Sequence, residues 1–279
     1  MKLPLRDAPH LTYCTNIHGG ESLAQVDKNI RRYALAVKRL VAPNRPFGVG
    51  LRLSAKAAAT LAQHKTLTAF RRFLDASGLY VFTINGFSYG TFHGTRVKER
   101  VYLPDWSNER RLKYTNRLAV ILSALLPDEP GLEGSISTVP GAFKAAIRSE
   151  SAVRRMARLM ILHLGTLYRI REKTGKIISL ALEPEPSCCL ETVAETIRFF
   201  KRHLFSQTAQ KILSAETGIS AQGSREFIRR HLGVCFDACH MAVEFEDPRT
   251  ALKALQTAGI RVIKLQLSSG LRVMFAADS

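Results

Sequence analysis

Short apolar runs alternate along the chain with longer stretches of helical periodicity. LTYCTNIH (11–18) predicts a first strand, and Leu23, Val26, Ile30 and Tyr33 then recur at helical spacing, predicting a helix from Ser22 to about Leu40. FGVGLRLS (47–54) predicts a second strand, with a helical region from Leu67 to Ala76 that Gly78 stops. LYVFTING (79–86) predicts a third. After a long loop, a helix from near Asn108 carries Leu112, Leu118, Ala119, Ile121, Leu122 and Leu125. GSISTVP (134–140) predicts the fourth strand, and a basic helix with Met156, Leu159, Leu162, Leu167 and Ile170 follows. IISLALEPEP (177–186), GVCFDACH (233–240) and IRVIKLQLSSG (260–270) predict strands five to seven. Helices are expected from about Leu190 to Leu204, from Arg225 to His231, and after Pro248.

Seven βα-like units in one direction predict an α/β barrel, with a doubly wound sheet as the alternative. Only nine residues, LRVMFAADS, follow Gly270, whereas a crossover needs about 10–12. Residues 1–279 are therefore expected to form a single incomplete barrel domain, truncated after the seventh strand and open between the first and the seventh. Leu271, Val273, Met274 and Phe275 are expected to cap part of the gap.

Charge adds a second layer. Forty-one Lys and Arg against 23 Asp and Glu leave +18, a field that attracts anionic polymers, lipid headgroups or phosphorylated metabolites. Much of the excess lies in doublets such as Arg31-Arg32, Arg71-Arg72, Arg110-Arg111, Arg154-Arg155 and Arg229-Arg230, expected on solvated helix faces. No finger, glycine-lysine loop or aromatic stacking ladder accompanies them, which speaks against specific nucleic-acid binding. Peripheral contact with an anionic membrane stays open. No apolar run suits a secretory core or a bilayer span, and the five cysteines have neither disulfide-module nor zinc-knuckle spacing. A cytoplasmic setting is the expectation.

The candidate chemistry falls where the strands end, the mouth of a parallel barrel. One cluster runs from Asn16 to Gly20 and includes His18; a second is Glu183-Pro184-Glu185-Pro186; a third is Asp237-Ala238-Cys239-His240. Glu183 and Glu185 read either as solvated carboxylates beside rigid prolines or as inward carboxylates that need a cation or basic partner. His240 reads either as a core histidine or as part of an oxygen-and-nitrogen site. Gln266, near the next strand end, offers an amide oxygen. Such a set suits Mg²⁺ or Mn²⁺, and Zn²⁺ where histidine joins. The loop 87–107 is long, glycine-rich and basic, and is expected to cover the mouth. His93, Arg96 and Lys98 there, with His18, are the expected substrate contacts.

LEPEP and CFDACHMAVEFED resemble the strand-end signals of the xylose-isomerase-like TIM barrels, which include sugar isomerases, keto-sugar epimerases and an apurinic-site endonuclease family. LTYCTNIHGGES, LYVFTINGFSYGTFHGTRVKERVYLPDW, LALEPEPSCCLET and GVCFDACHMAVEFE, spread over residues 11–246, more closely resemble the metabolite-traffic family of EboE. The resemblance implies that Glu183 and Asp237 bind a divalent metal and that His240 contacts substrate, or itself ligates metal as in the nuclease-like branch. Gln266 stands where the superfamily often has histidine, and the usual final glutamate of an eighth strand has no counterpart. EboE-like proteins normally extend further at the C-terminus.

The expected function is metabolite processing or traffic, with metal-dependent isomerisation of a polar or phosphorylated metabolite. In that reading Glu183, Asp237 and Gln266 hold the metal, Glu185 transfers a proton, and His240 orients a substrate oxygen. The alternatives are a non-catalytic metabolite-binding or assembly component, and an abasic-site nuclease-like protein. The expected partners are a small-molecule metabolite and proteins of the same traffic system.

Overall fold

The computed structural model describes residues 1–6, 8–91, 98–271 and 273. Among them, β1 (Thr12–Cys14), β2 (Phe47–Arg52), β3 (Leu79–Asn85), β4 (Gly134–Thr138), β5 (Ile178–Leu182), β6 (Leu232–Asp237) and β7 (Arg261–Gln266) form one sheet. Each strand pairs in parallel with the next in sequence. A doubly wound sheet reverses its strand order; this one does not, which is the winding of a barrel.

Side-chain contacts across the interior show the curl. β3 and β7 lie four positions apart, roughly 19 Å in a flat sheet. Yet Asn85 Nδ2 is 3.5 Å from Gln266 Oε1, and Lys264 Nζ on β7 donates to Ser137 Oγ on β4 at 3.1 Å. The fold is a (β/α) barrel with seven strands among the described residues, β1 and β7 being its sheet edges.

The connecting helices are α1 (Leu23–Asn29), α2 (Leu35–Val41), α3 (Ala55–Leu61), α4 (His64–Ala76), α5 (Glu109–Leu125), α6 (Glu150–Thr174), α7 (Val193–Phe199), α8 (Gln207–Thr217), α9 (Ala221–His231), α10 (Ala238–Val243) and α11 (Pro248–Thr257). Their starts are written locally. Ser22, Ser54, Asn108, Ser149, Thr192, Ser206, Ser220, Asp237 and Asp247 each accept a backbone N–H of the following turn. Leu118 and Leu122 of α5, Leu164 of α6, Ile136 of β4 and Leu180 of β5 are all fully buried in one hydrophobic core. No helix among the described residues is long and apolar enough to cross a membrane.

Several expectations need correction. The sixth strand ends at Asp237, because that side chain caps α10 and turns 238–243 into helix. The first strand is only three residues long and passes into a 3-10 turn at Thr15–Ile17. α3 and α8 lie in stretches read without helix. Not every arginine doublet is solvated: Arg111 is fully buried, donating to the carbonyls of Gly86 (2.8 Å), Phe87 (2.9 Å) and Pro104 (2.7 Å). Leu271 is 92% and Val273 55% exposed, so neither covers the sheet edge. Met274 and Phe275 lie outside the described residues.

Candidate active site

Glu183 leaves the end of β5, its N–H donating to Thr138 O at 3.1 Å. The residue is 4% exposed. Two residues on, Glu185 is set by a tight turn. Its N–H donates to Leu190 O (3.1 Å), its carbonyl accepts from Cys188 N (3.2 Å), and Ser187 adopts a positive φ of 64°. Oε2 of Glu183 and Oε2 of Glu185 are both buried without a hydrogen-bond partner. Unpaired buried carboxylate oxygens are costly.

From β6, Asp237 turns inward as the cap of α10. Its Oδ1 accepts from Cys239 N at 2.9 Å and from the Ser268 hydroxyl. Gln266 Nε2, at the end of β7, donates to Glu183 Oε1 at 2.7 Å and to Asp237 Oδ2 at 2.6 Å. Carboxylates accept only, so this pair fixes which end of the Gln266 amide faces them. His240 donates its Nδ1–H to Pro184 O at 2.9 Å, so Nε2 is the ring nitrogen outside that bond. Ligand atoms of Asp237, Cys239 and His240 lie within 4.8 Å of one another.

The electrostatics follow from these positions. Burial pushes the Glu183 carboxyl up, Asp237 adds to the rise, and the charges of Lys264 and His240 oppose it. Burial also raises Glu185 to about 7, with Glu183 and Asp237 acting in the same direction and His240 and Tyr102 against it. At Asp237 burial works upward, but the bonds from Ser268 and Cys239 and the nearby His240 leave it below the usual carboxylate range.

Of the residues singled out in the sequence, Glu183, Glu185, Asp237, His240 and Gln266 come together. His18 is held within its own unit, 2.6 Å from the Tyr13 hydroxyl and stacked on Tyr33 at 4.0 Å. His93 and Arg96 lie outside the described residues, and Lys98 begins a 3-10 turn, Lys98–Tyr102. That turn carries Tyr102, which stacks on Phe143 at 5.6 Å and whose hydroxyl interacts with Glu185 and Cys188.

Sequence reasoning missed two groups here, Lys264 and Arg52, and read Tyr102 only as an apolar wall of the long loop. Lys264 is 9% exposed on the same face of β7 as Gln266; the I-K-L-Q alternation carried that signal once Gln266 was read as inward. Tyr102 reaches Glu185 from the 87–107 loop. Arg52, 2% exposed at the end of β2, joins the first three units by donating to Gly20 O (2.6 Å), Glu21 Oε1 (2.8 Å) and Gly90 O.

The donor set fits a divalent cation. Carboxylate, thiol and imidazole converge within one turn, and Glu183, which shares the Gln266 amide with Asp237, keeps its other carboxylate oxygen buried without a partner. A separate cavity of about 750 Å³ is lined by His10, Arg45, Pro46, Tyr80, Pro127 and Glu129, residues at or before the starts of strands. It sits at the opposite end of the barrel from the carboxylates.

No family model matches the chain, and no curated protein matches it. Among solved structures it is similar to the probable 3-DHS dehydratase AsbF involved in petrobactin synthesis from Bacillus anthracis. The TM-score there is 0.48 at 13% identity, covering 89% of this chain and 70% of that one. It is also similar to the IOLI protein with a binding zinc atom, at a TM-score of 0.47 and 13% identity, covering 90% of this chain and 70% of that one.

Proposed function

We propose that the chain is a metabolite-processing enzyme that moves a proton beside a carbonyl of a polar or phosphorylated small molecule, an isomerase-like reaction assisted by a divalent cation. The reading is carried by two buried, unpartnered carboxylate oxygens, on Glu183 and Glu185, at the strand ends around His240. A cation held at Asp237 and His240, with Glu183 beside it, would polarise the substrate carbonyl. Glu185 changes protonation near neutral pH, and its contact with Tyr102 keeps it in place, so it gives and takes the proton. Gln266 keeps Glu183 and Asp237 from repelling one another, and Lys264 offsets the remaining negative charge. The sequence assigns His93, Arg96 and Lys98 of the 87–107 loop to substrate contact, and the two fixed cations among them suit an anionic group. Membership of an EboE-like metabolite-traffic system rests on the sequence resemblance, and brings with it partner proteins of that system.

Incubation with keto sugars and sugar phosphates in D₂O, read by proton NMR, tests the proposal. The metal-loaded protein is expected to incorporate deuterium at the carbon next to the carbonyl. Glu185→Gln is expected to slow that exchange about 10²–10⁴-fold while leaving the circular-dichroism spectrum unchanged. Ligand binding without exchange would make the chain a carrier instead.

A further inference from the structure

We infer that Cys239 is a metal ligand, making the strand-end cluster a thiolate site for a thiophilic d-block cation such as Zn²⁺ or Co²⁺ rather than for Mg²⁺. The inference rests on the reading of the mouth as a divalent-cation site and adds which cation it takes.

Residues 237–240 form one rigid turn. The Asp237 carboxylate accepts from Cys239 N at 2.9 Å, and Ser268 Oγ accepts from the same N–H at 3.1 Å while its own hydroxyl binds Asp237. The turn therefore cannot open without breaking the cap of α10. Pro184 O fixes His240 by its Nδ1–H, the outer-shell bond that orients a ligating imidazole and leaves Nε2 for a metal. The carboxylate, sulfur and imidazole ligand atoms fall within 4.8 Å of one another. An independent sign is Glu183. It is 4% exposed, one oxygen shares the Gln266 amide with Asp237, and the other is buried without a partner. Three protein ligands drawn from carboxylate, thiolate and imidazole match the ligand types and the number of a catalytic zinc site. Mg²⁺ prefers oxygen ligands in octahedral array and discriminates against sulfur. On binding, the sulfur–metal bond forms as the thiol S–H breaks, and one proton leaves to water. His240 is then a ligand rather than a group that orients substrate oxygen.

Titration of the metal-free full chain with Co²⁺, followed by absorption spectroscopy, tests this without any substrate. The expected result is one equivalent bound, a thiolate-to-cobalt charge-transfer band, and displacement by Zn²⁺ but not by excess Mg²⁺. Cys239→Ser should abolish the band and weaken Zn²⁺ binding by about 100-fold or more. Cys189→Ser, outside the cluster, should do neither. Asp237→Asn, which keeps an oxygen for the cap, should weaken binding while preserving the fold. Stoichiometric cobalt without the band, unchanged in Cys239→Ser, would overturn the thiolate ligand and leave the isomerase-like reading standing. No stoichiometric metal in the wild type would overturn both.

Discussion

Gln266 bridges two carboxylates that face one interior. Its two amide hydrogens are both spent on Glu183 and Asp237. Replacing it with Leu is therefore expected to lower stability by about 2–4 kcal/mol, because charge-assisted hydrogen bonds are lost and a repelling pair remains. Denaturant unfolding of the metal-free protein measures this, and added Zn²⁺ should restore part of the loss. Two buried histidines give a separate prediction. Burial lowers His163 from 6.5 to about 3 and His231 to about 4, although His231 donates Nδ1–H to Ile178 O at 2.7 Å. The folded state thus refuses a proton that the unfolded chain accepts once pH falls below 6.5. Stability is fully present above that value and falls as pH drops toward the folded values, by about 1.4 kcal/mol per pH unit for each histidine. At pH 5 the cost of His163 alone is about 2 kcal/mol. Unfolding curves at pH 7 and pH 5 should differ less in His163→Gln than in the wild type by about that amount.

At the scale of elements, α5 organises the mouth through one side chain. Arg111 is buried in the first turns of the helix and binds carbonyls at both ends of the 87–107 loop, Gly86 and Phe87 on one side and Pro104 on the other. Tyr102 reaches Glu185 from the same loop. Arg111→Met is expected to cost about 3–5 kcal/mol, since three carbonyls lose their donor in a buried place. It should also make the loop the first site of limited proteolysis, whereas Arg110→Met, on the exposed face, should change neither. Helical periodicity could not separate these two arginines. Adjacent positions on a helix point about 100° apart, and which of them meets the loop depends on tertiary packing. The same limit explains the sixth strand. An apolar run followed by D-A-C-H reads as a strand with a polar end, but the Asp237 cap converts those last residues to helix.

For the whole molecule, the order of elements was legible because each βα unit writes its own signals: an apolar run, a capping Ser, Thr, Asn or Asp, and a periodic helix. Glu183, Asp237 and Gln266 could be placed at one mouth from that order alone, since parallel strands in barrel winding bring their C-terminal ends together. The inward placement of Arg52 was not legible in the same way, because a lone cation in a strand reads equally as solvated. Lys264 follows from its alternation with Gln266 on β7, and the curl that brings β7 against β3 and β4 gives it Ser137 as a partner. Whether this mouth holds a divalent cation is decided by metal content. Elemental analysis of purified wild type and Asp237→Ala, both checked for fold by circular dichroism, is expected to find about one equivalent of a d-block metal in the wild type and a large loss in the variant. Equal occupancy in two folded proteins would mean that Asp237 holds no cation.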